Sequence, residues 1–275
     1  MKLKKVGIAL CLSASLLILG ACNSSKGSTS NQKAVKTETV AFQKDINQKN
    51  ERVWLITSSK NFGKDSKIVE AIHVENGKTE LITPGKTLRE LDKVSDDKVW
   101  NFLVKANQES YREERQQKID DQKKYLAHDQ GPTGLDDYTS KEELEKGIKQ
   151  DQEILDVLNK TTEFKPVTVQ SEVSIVTDST GNQVNKESLI IEGSTEVYAL
   201  LDTGGLEYNL ESPVNTPIEI LNHSYLGFDM KQATNKGYED YAESYMMLTR
   251  KTDSIKNISF DKASEKGVKE LQDND

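Results

Sequence analysis

The chain has 275 residues, 35% of them hydrophobic and 30% charged, and its 37 Lys and Arg against 45 Asp and Glu give a formal charge of −8. A body of this length buries enough surface to fold without disulfide staples. The acidic balance excludes the basic footprint that nucleic-acid phosphates require, and two cysteines with three histidines leave little for thiol or metal chemistry.

Lys2, Lys4 and Lys5 precede an almost wholly apolar or small run from Val6 to Leu19, which Gly20 and Ala21 close. That is the layout of a secretory signal peptide, and its apolar stretch of about 14 residues is shorter than the ~20 a membrane-spanning helix needs. Leu19-Gly20-Ala21-Cys22 resembles the lipobox of bacterial lipoproteins, with a leucine three before the cysteine and small residues between. The resemblance covers the first 22 residues only. It implies that the Cys22 thiol receives a diacylglycerol and that residues 1–21 are removed. The chain would then be lipid-anchored at the extracellular face of a cell membrane, and two acyl chains hold firmly at about 0.8 kcal/mol per buried methylene. Loss of the three lysines would take the formal charge from −8 to −11. Arginine occurs only at Arg52, Arg89, Arg112, Arg115 and Arg250, a lysine-rich bias that fits a Gram-positive bacterium.

Residues 22–47 open with a Ser/Asn/Lys/Thr-rich stretch that cannot bury enough apolar surface to order itself, and are expected to be a tether, with residues 48–275 as the body. Val53–Thr57, Ile68–Val74 and Thr79–Ile82 read as strands, the last two joined by Asn76-Gly77, a strong hairpin signal. Thr87 and Glu90 form a capping box on a short helix. From Asp96 to about Ala127 the pattern is helical, with Trp100, Leu103, Val104, Asn107, Tyr111, Ile119, Tyr125 and Leu126 loosely on one side. Arg112–Lys118 reads as an exposed polar turn, and Glu114 with Lys118 and Asp120 with Lys124 as i,i+4 pairs. Ser140 caps a second helix to about Asn159, with Leu144, Ile148, Leu155 and Leu158 on one face. The two helices should form an antiparallel hairpin over 95–160.

After Pro166 the period returns to two. Val167–Val176 and Ser188–Ile191 read as strands about a turn at Asp178–Asn182. Thr195–Leu201, Leu206–Leu210 and Ile218–Leu221 read as further separate strands, Tyr238–Thr249 as a helix, Ile255–Phe260 as a strand and the acidic C-terminus as a short helix. The expected fold class is α+β, an antiparallel β-rich body with a long helical hairpin inserted between two β-rich parts.

Chemistry is sparse. No G-x-S-x-G elbow, H-E-x-x-H helix or phosphate-binding loop occurs, and Cys11 and Cys22 leave or are consumed at the N-terminus. His73 sits on a strand facing solvent or a cross-strand partner. His128 with Asp129, Asp136 and Asp137 reads as a solvated inter-helix turn, because no metal-ligand spacing is met. Asp178, Thr180 and Asn182 lack the glycine and terminal acid of a calcium loop. Tyr241 and Tyr245 have the spacing of Gram-positive haem-binding surface modules, but helical spacing assigns them to packing. No catalytic residue, metal or cofactor is expected, and Cys22 is the one assigned site. The expected function is a non-enzymatic binding or accessory module at the cell surface, with the membrane and a protein or cell-wall component as partners and the helical hairpin as a contact element. The alternatives are a cell-wall hydrolase with a paired carboxylate site and a transporter's solute receptor, a class built from repeated βα units in two lobes.

Overall fold

The computed structural model describes residues 37–48, 51–60, 62–131, 134, 138, 140–181, 183–193, 206–232 and 243–271. The signal-peptide segment, Cys22, the expected strand at 195–201, Asp136, Asp137, Asn182, Tyr238 and Tyr241 lie outside the described residues.

In chain order the elements are β1 (Glu38–Val40), α1 (Phe42–Asn47), β2 (Arg52–Ser58), β3 (Ile68–Glu75) and β4 (Lys78–Ile82), then two 3-10 turns, Leu88–Leu91 and Asp96–Lys98. The helices α2 (Val99–Asp129) and α3 (Lys141–Lys160) follow. The chain continues with β5 (Val167–Thr177), β6 (Val184–Glu192), β7 (Leu206–Ile220), β8 (His223–Gln232), β9 (Ser244–Arg250), β10 (Ile255–Ile258) and β11 (Val268–Leu271).

Strands β2 to β9 form a closed, eight-stranded, antiparallel barrel in which each strand pairs with the next and β9 returns to β2. Closure removes the free edges that an open sheet presents. The mixed α+β class holds, with the hairpin between β4 and β5. Both β-rich parts belong to this one barrel. Strand β5 carries two neighbours on its second edge: β4 over Val167–Val169, then β11 in parallel over Val173–Val176.

A barrel of eight strands is just wide enough to be filled by side chains or to hold one small ligand. Here an apolar cluster packs inside it. Trp54 of β2 sits 6.0 Å from Phe42 of α1 and from Phe228 of β8, all three fully buried. Leu81, Val173, Leu189, Tyr208 and Met247 join the same cluster from the other strands. A second apolar cluster lies on the opposite face of β2, β3 and β9, where Leu55, Ala71 and Leu248 pack under Leu88 and Leu91 of the first 3-10 turn and Val99, Trp100 and Leu103 of α2. From Ile119 onward the buried apolar side chains of α2 pack on α3, at Leu155 and Leu158. At ~1.5 Å per residue α2 is about 46 Å long. Its first turns dock on the barrel and its remainder pairs with α3.

Several expectations held in detail. Asn76 and Gly77 take φ of 53° and 78°, the mirror-image turn their residue types favour. Ser140 Oγ accepts from Glu143 N at 3.2 Å and Thr87 N donates to Glu90 Oε2 at 2.9 Å, although the segment this box opens is 3-10.

Others did not. Residues 38–47, expected in the tether, form β1 and α1, and Phe42 is buried in the barrel core. Hydrophobics at Val40, Phe42 and Ile46 were too few to stand out beside the polar run, yet each finds the core. Leu206–Leu210 and Ile218–Ile220 belong to one continuous strand, and Leu221 opens the turn after it. The strand's register shifts at 210–212 and 214–218 accommodate Pro213 and Pro217, which have no N–H for the ladder. Ser244–Arg250 is strand β9 rather than helix, buried on both faces, so no alternation marked it. Within the C-terminal segment expected as helix, Val268–Leu271 is strand β11. Tyr125 is exposed, and Lys124 pairs with Asp121 at i,i+3, 2.8 Å.

Candidate functional site

The first concavity lies where the helical hairpin leaves the barrel. It is a cleft of ≈ 450 Å³ walled by α2, the C-terminal end of α3, the 161–165 connection and the first residue of β5. Asn107, only 2% exposed, stands at its base. Thr83, just past β4, donates its backbone N–H to Asn107 Oδ1 at 3.1 Å. A donor on the amide oxygen fixes which way the side chain faces, so the Asn107 NH2 group is assigned without ambiguity. Among the described residues that NH2 group has no acceptor.

Tyr111, one helical turn further along α2, packs edge-on against Phe164 with ring centroids 5.4 Å apart. Its hydroxyl donates to Thr161 O at 2.9 Å, so the ring is held as an apolar wall. Val157 and Val167 extend that wall. Arg115 donates from Nε to Leu158 O at 2.7 Å, tying α2 to the end of α3 below the cleft. Four charged side chains edge the opening: Lys160 and Lys165 on one hand, Glu114 and Glu163 on the other. None of the four has an ion-pair partner among the described residues.

The second concavity, ≈ 200 Å³, lies among Arg52, Val53, Asp96, Val99 and Arg250. Its cations are committed to the fold. Arg250 donates to Leu91 O at 2.6 Å, to Val94 O and to Asp96 Oδ1, at 2.5 and 2.8 Å. Arg52 pairs with Glu38 at 3.0 Å and with the buried Asp45.

Four buried carboxyls have raised pKa values, and none lines the larger cleft. Burial pushes Glu70 up to about 7 inside the barrel, opposed by a hydrogen bond from Tyr208 Oη at 3.1 Å. Tyr208 in turn packs edge-on to Tyr245 at 5.9 Å. Burial raises Asp45 to about 6 against the pull of Arg52. Glu187 and Asp261 are both raised by burial, Glu187 further by the charge of Asp261, and Asp261 N donates to Glu187 Oε2 at 2.6 Å.

The residues weighed from sequence fall into structural roles. His73 stacks on Trp100 at 4.7 Å between Glu51 and its cross-strand partner Glu80. His128 Nδ1 lies 3.2 Å from Asp129 Oδ1, whose carboxylate also accepts from Tyr138 Oη at 2.7 Å. His223 Nε2 meets Asp92 O at 2.9 Å. Asp178 Oδ1 caps its turn by accepting from Thr180 N at 3.2 Å. Among the described residues no group of three or more His, Cys, Asp or Glu is placed to hold a metal ion. Asn107, grouped with the buried helix face in the sequence, carried no signal of its cleft, because the cleft needs β4, α2 and the end of α3 together.

Comparison with protein-family models, with curated proteins and with solved structures found no match to this chain.

Proposed function

We propose that this chain is a lipid-anchored bacterial surface protein, attached through Cys22, whose body is a non-enzymatic binding module. The observation that carries the binding reading is the cleft at the hairpin base, where a buried amide is oriented by Thr83 and left with its donors unspent. Small-ligand sites are concave, about 300–1,000 Å³, largely apolar, with a few placed polar groups. The cleft falls within that volume range and has an apolar wall at Tyr111, Val157, Phe164 and Val167, although the rest of its lining is polar. The four carboxyls raised by burial lie elsewhere, which favours binding over acid–base hydrolysis at this place. A single closed barrel also favours it over the two-lobed architecture of a solute receptor.

The anchoring half of the proposal rests on Leu19-Gly20-Ala21-Cys22 and the lysine-headed apolar run before it. Its test is metabolic labelling with a fatty acid in cells expressing the native chain or Cys22→Ala. The native chain should carry label and sediment with membranes, and the variant should lose both. A native chain found unlabelled in the soluble fraction would overturn the anchor.

A further inference from the structure

We infer that the cleft at the base of the hairpin receives a short peptide with free, charged ends, an identification that rests on the binding-module reading above. Four features of the cleft specify that chemistry together.

At the base, the Asn107 NH2 group offers two N–H donors in a residue that is 98% buried, and its own oxygen is already taken by Thr83 N. That donor lines the cleft and suits a neutral acceptor of carbonyl type. Beside it, Tyr111 and Phe164 present ring surface, with the Tyr111 hydroxyl spent on Thr161 O. Such a wall takes an apolar side chain. At the opening, Lys160 and Lys165 provide positive charge for a carboxylate, and Glu114 and Glu163 provide negative charge for an ammonium. A peptide carries the matching set in one molecule: a backbone carbonyl, an apolar side chain and two oppositely charged termini. A purely anionic ligand would be repelled by the two glutamates, and a purely cationic one by the two lysines.

The second cleft lacks this combination: no aromatic ring lines it, and the terminal nitrogens of Arg52 and Arg250 are engaged by backbone carbonyls and carboxylates of the fold, which leaves Arg250 Nε as its one buried donor without a partner among the described residues. Glu70 in the barrel interior has its hydrogen bond from Tyr208.

The test titrates the purified full chain with alanyl-phenylalanyl-alanine, followed by NMR of the side-chain amides and aromatic rings and by calorimetry. Saturable shifts of the Asn107 side-chain amide and of the Tyr111 and Phe164 rings are expected. Asn107→Asp keeps an oxygen for Thr83 N while removing the donors, so the fold should persist and affinity should fall about tenfold or more. Acetylating one end of the peptide and amidating the other should weaken binding several-fold, as should Lys160→Ala with Lys165→Ala. Unchanged affinity in Asn107→Asp, or shifts confined to other residues, would overturn the inference. If an N-acetylhexosamine disaccharide shifts these resonances and the peptide does not, the ligand class is overturned and the binding module stands. If the peptide is cut during the titration, the site stands and the non-enzymatic reading is overturned.

Discussion

Asp261 caps helix α1 across most of the chain: its Oδ2 accepts from Gln43 N at 2.6 Å and its Oδ1 from Lys44 N at 2.9 Å, 218 and 217 positions away. The residue at the N-cap position itself, Ala41, has no side-chain acceptor. A helix of six residues is far too short to persist alone, so α1 depends on this carboxylate and on Phe42 and Ile46 in the core. Asp261→Ala should cost on the order of 1–2 kcal/mol, the range for losing a cap. Urea unfolding measures it, and an unchanged midpoint would show that α1 does not need the carboxylate.

The buried carboxyls set the pH dependence of stability. Glu70 keeps its proton up to about pH 7 in the folded chain, whereas an unfolded glutamate releases it near ~4.3. The folded state therefore binds more protons across that window, so its stability is full below about pH 4 and is lost as pH rises through about 7. Asp45, raised to about 6, adds to the same slope, as do Glu187 and Asp261 in direction. The exposed Asp65, lowered by Arg89, opposes it only at acid pH and is screened by solvent. Unfolding midpoints should fall from pH 5 to pH 8. Glu70→Gln, which keeps an acceptor for Tyr208, should flatten that fall and raise stability at pH 8 by on the order of 1–3 kcal/mol. A variant profile parallel to the native one would remove Glu70 from the account.

Gly227 of β8 lies against the backbone of β9. A Cβ there would lie 1.9 Å from Met247 O, which the paired strands cannot give without moving apart. Gly227→Ala should destabilise by about 2 kcal/mol or more, as overpacked cores do. Gly63, with nothing within 4 Å of its Cβ position, is the control. Its alanine variant should stay within ~0.5 kcal/mol of the native chain. Thermal melts of the two variants check the contrast, and equal melting temperatures would contradict it.

The β7–β8 turn is strained by its own residue. Leu221 takes φ 55°, and 47% of its surface is exposed at the first position of a two-residue turn where glycine is favoured. Leu221→Gly should stabilise by on the order of 1 kcal/mol, because the left-handed conformation no longer costs anything sterically. A lowered unfolding midpoint would instead assign Leu221 a packing role.

Arg250 ties β9 to the covering layer through Leu91 O, Val94 O and Asp96 Oδ1 while 8% exposed. Lysine keeps the charge but has a single nitrogen, so Arg250→Lys leaves acceptors unmatched. A loss of roughly 1–3 kcal/mol is expected, with protease sensitivity rising first in residues 88–98. Unaltered stability would mean that apolar packing alone holds that layer.

Legibility followed local chemistry. The hairpin at Asn76-Gly77 was readable because both residue types favour positive φ, whereas the hairpin at Leu221-Asn222 put a leucine where glycine is expected and concealed β8 altogether. The cap at Ser140 and the buried face through Trp100, Leu103 and Asn107 were readable from spacing within one helix. Strand β9 was not, since Met246 and Leu248 pack on one side and Met247 on the other, and a run buried on both faces has no period.

The amino-acid sequence by itself determined the acidic character, the confinement of both cysteines to the first 22 residues, the helical hairpin and most strands, because charge, capping and periodicity act over a few residues. Tertiary structure alone decided that those strands close into one barrel, that Val40, Phe42 and Ile46 from residues 38–47 pack into its core, and that Asn107 stands with unspent donors in a cleft. Each of those depends on residues that are not neighbours in the chain, Leu55 with Leu248, Gln43 with Asp261, Thr83 with Asn107. Their partners become neighbours only when burial of the shared apolar core offsets the entropy of closing the loops between them.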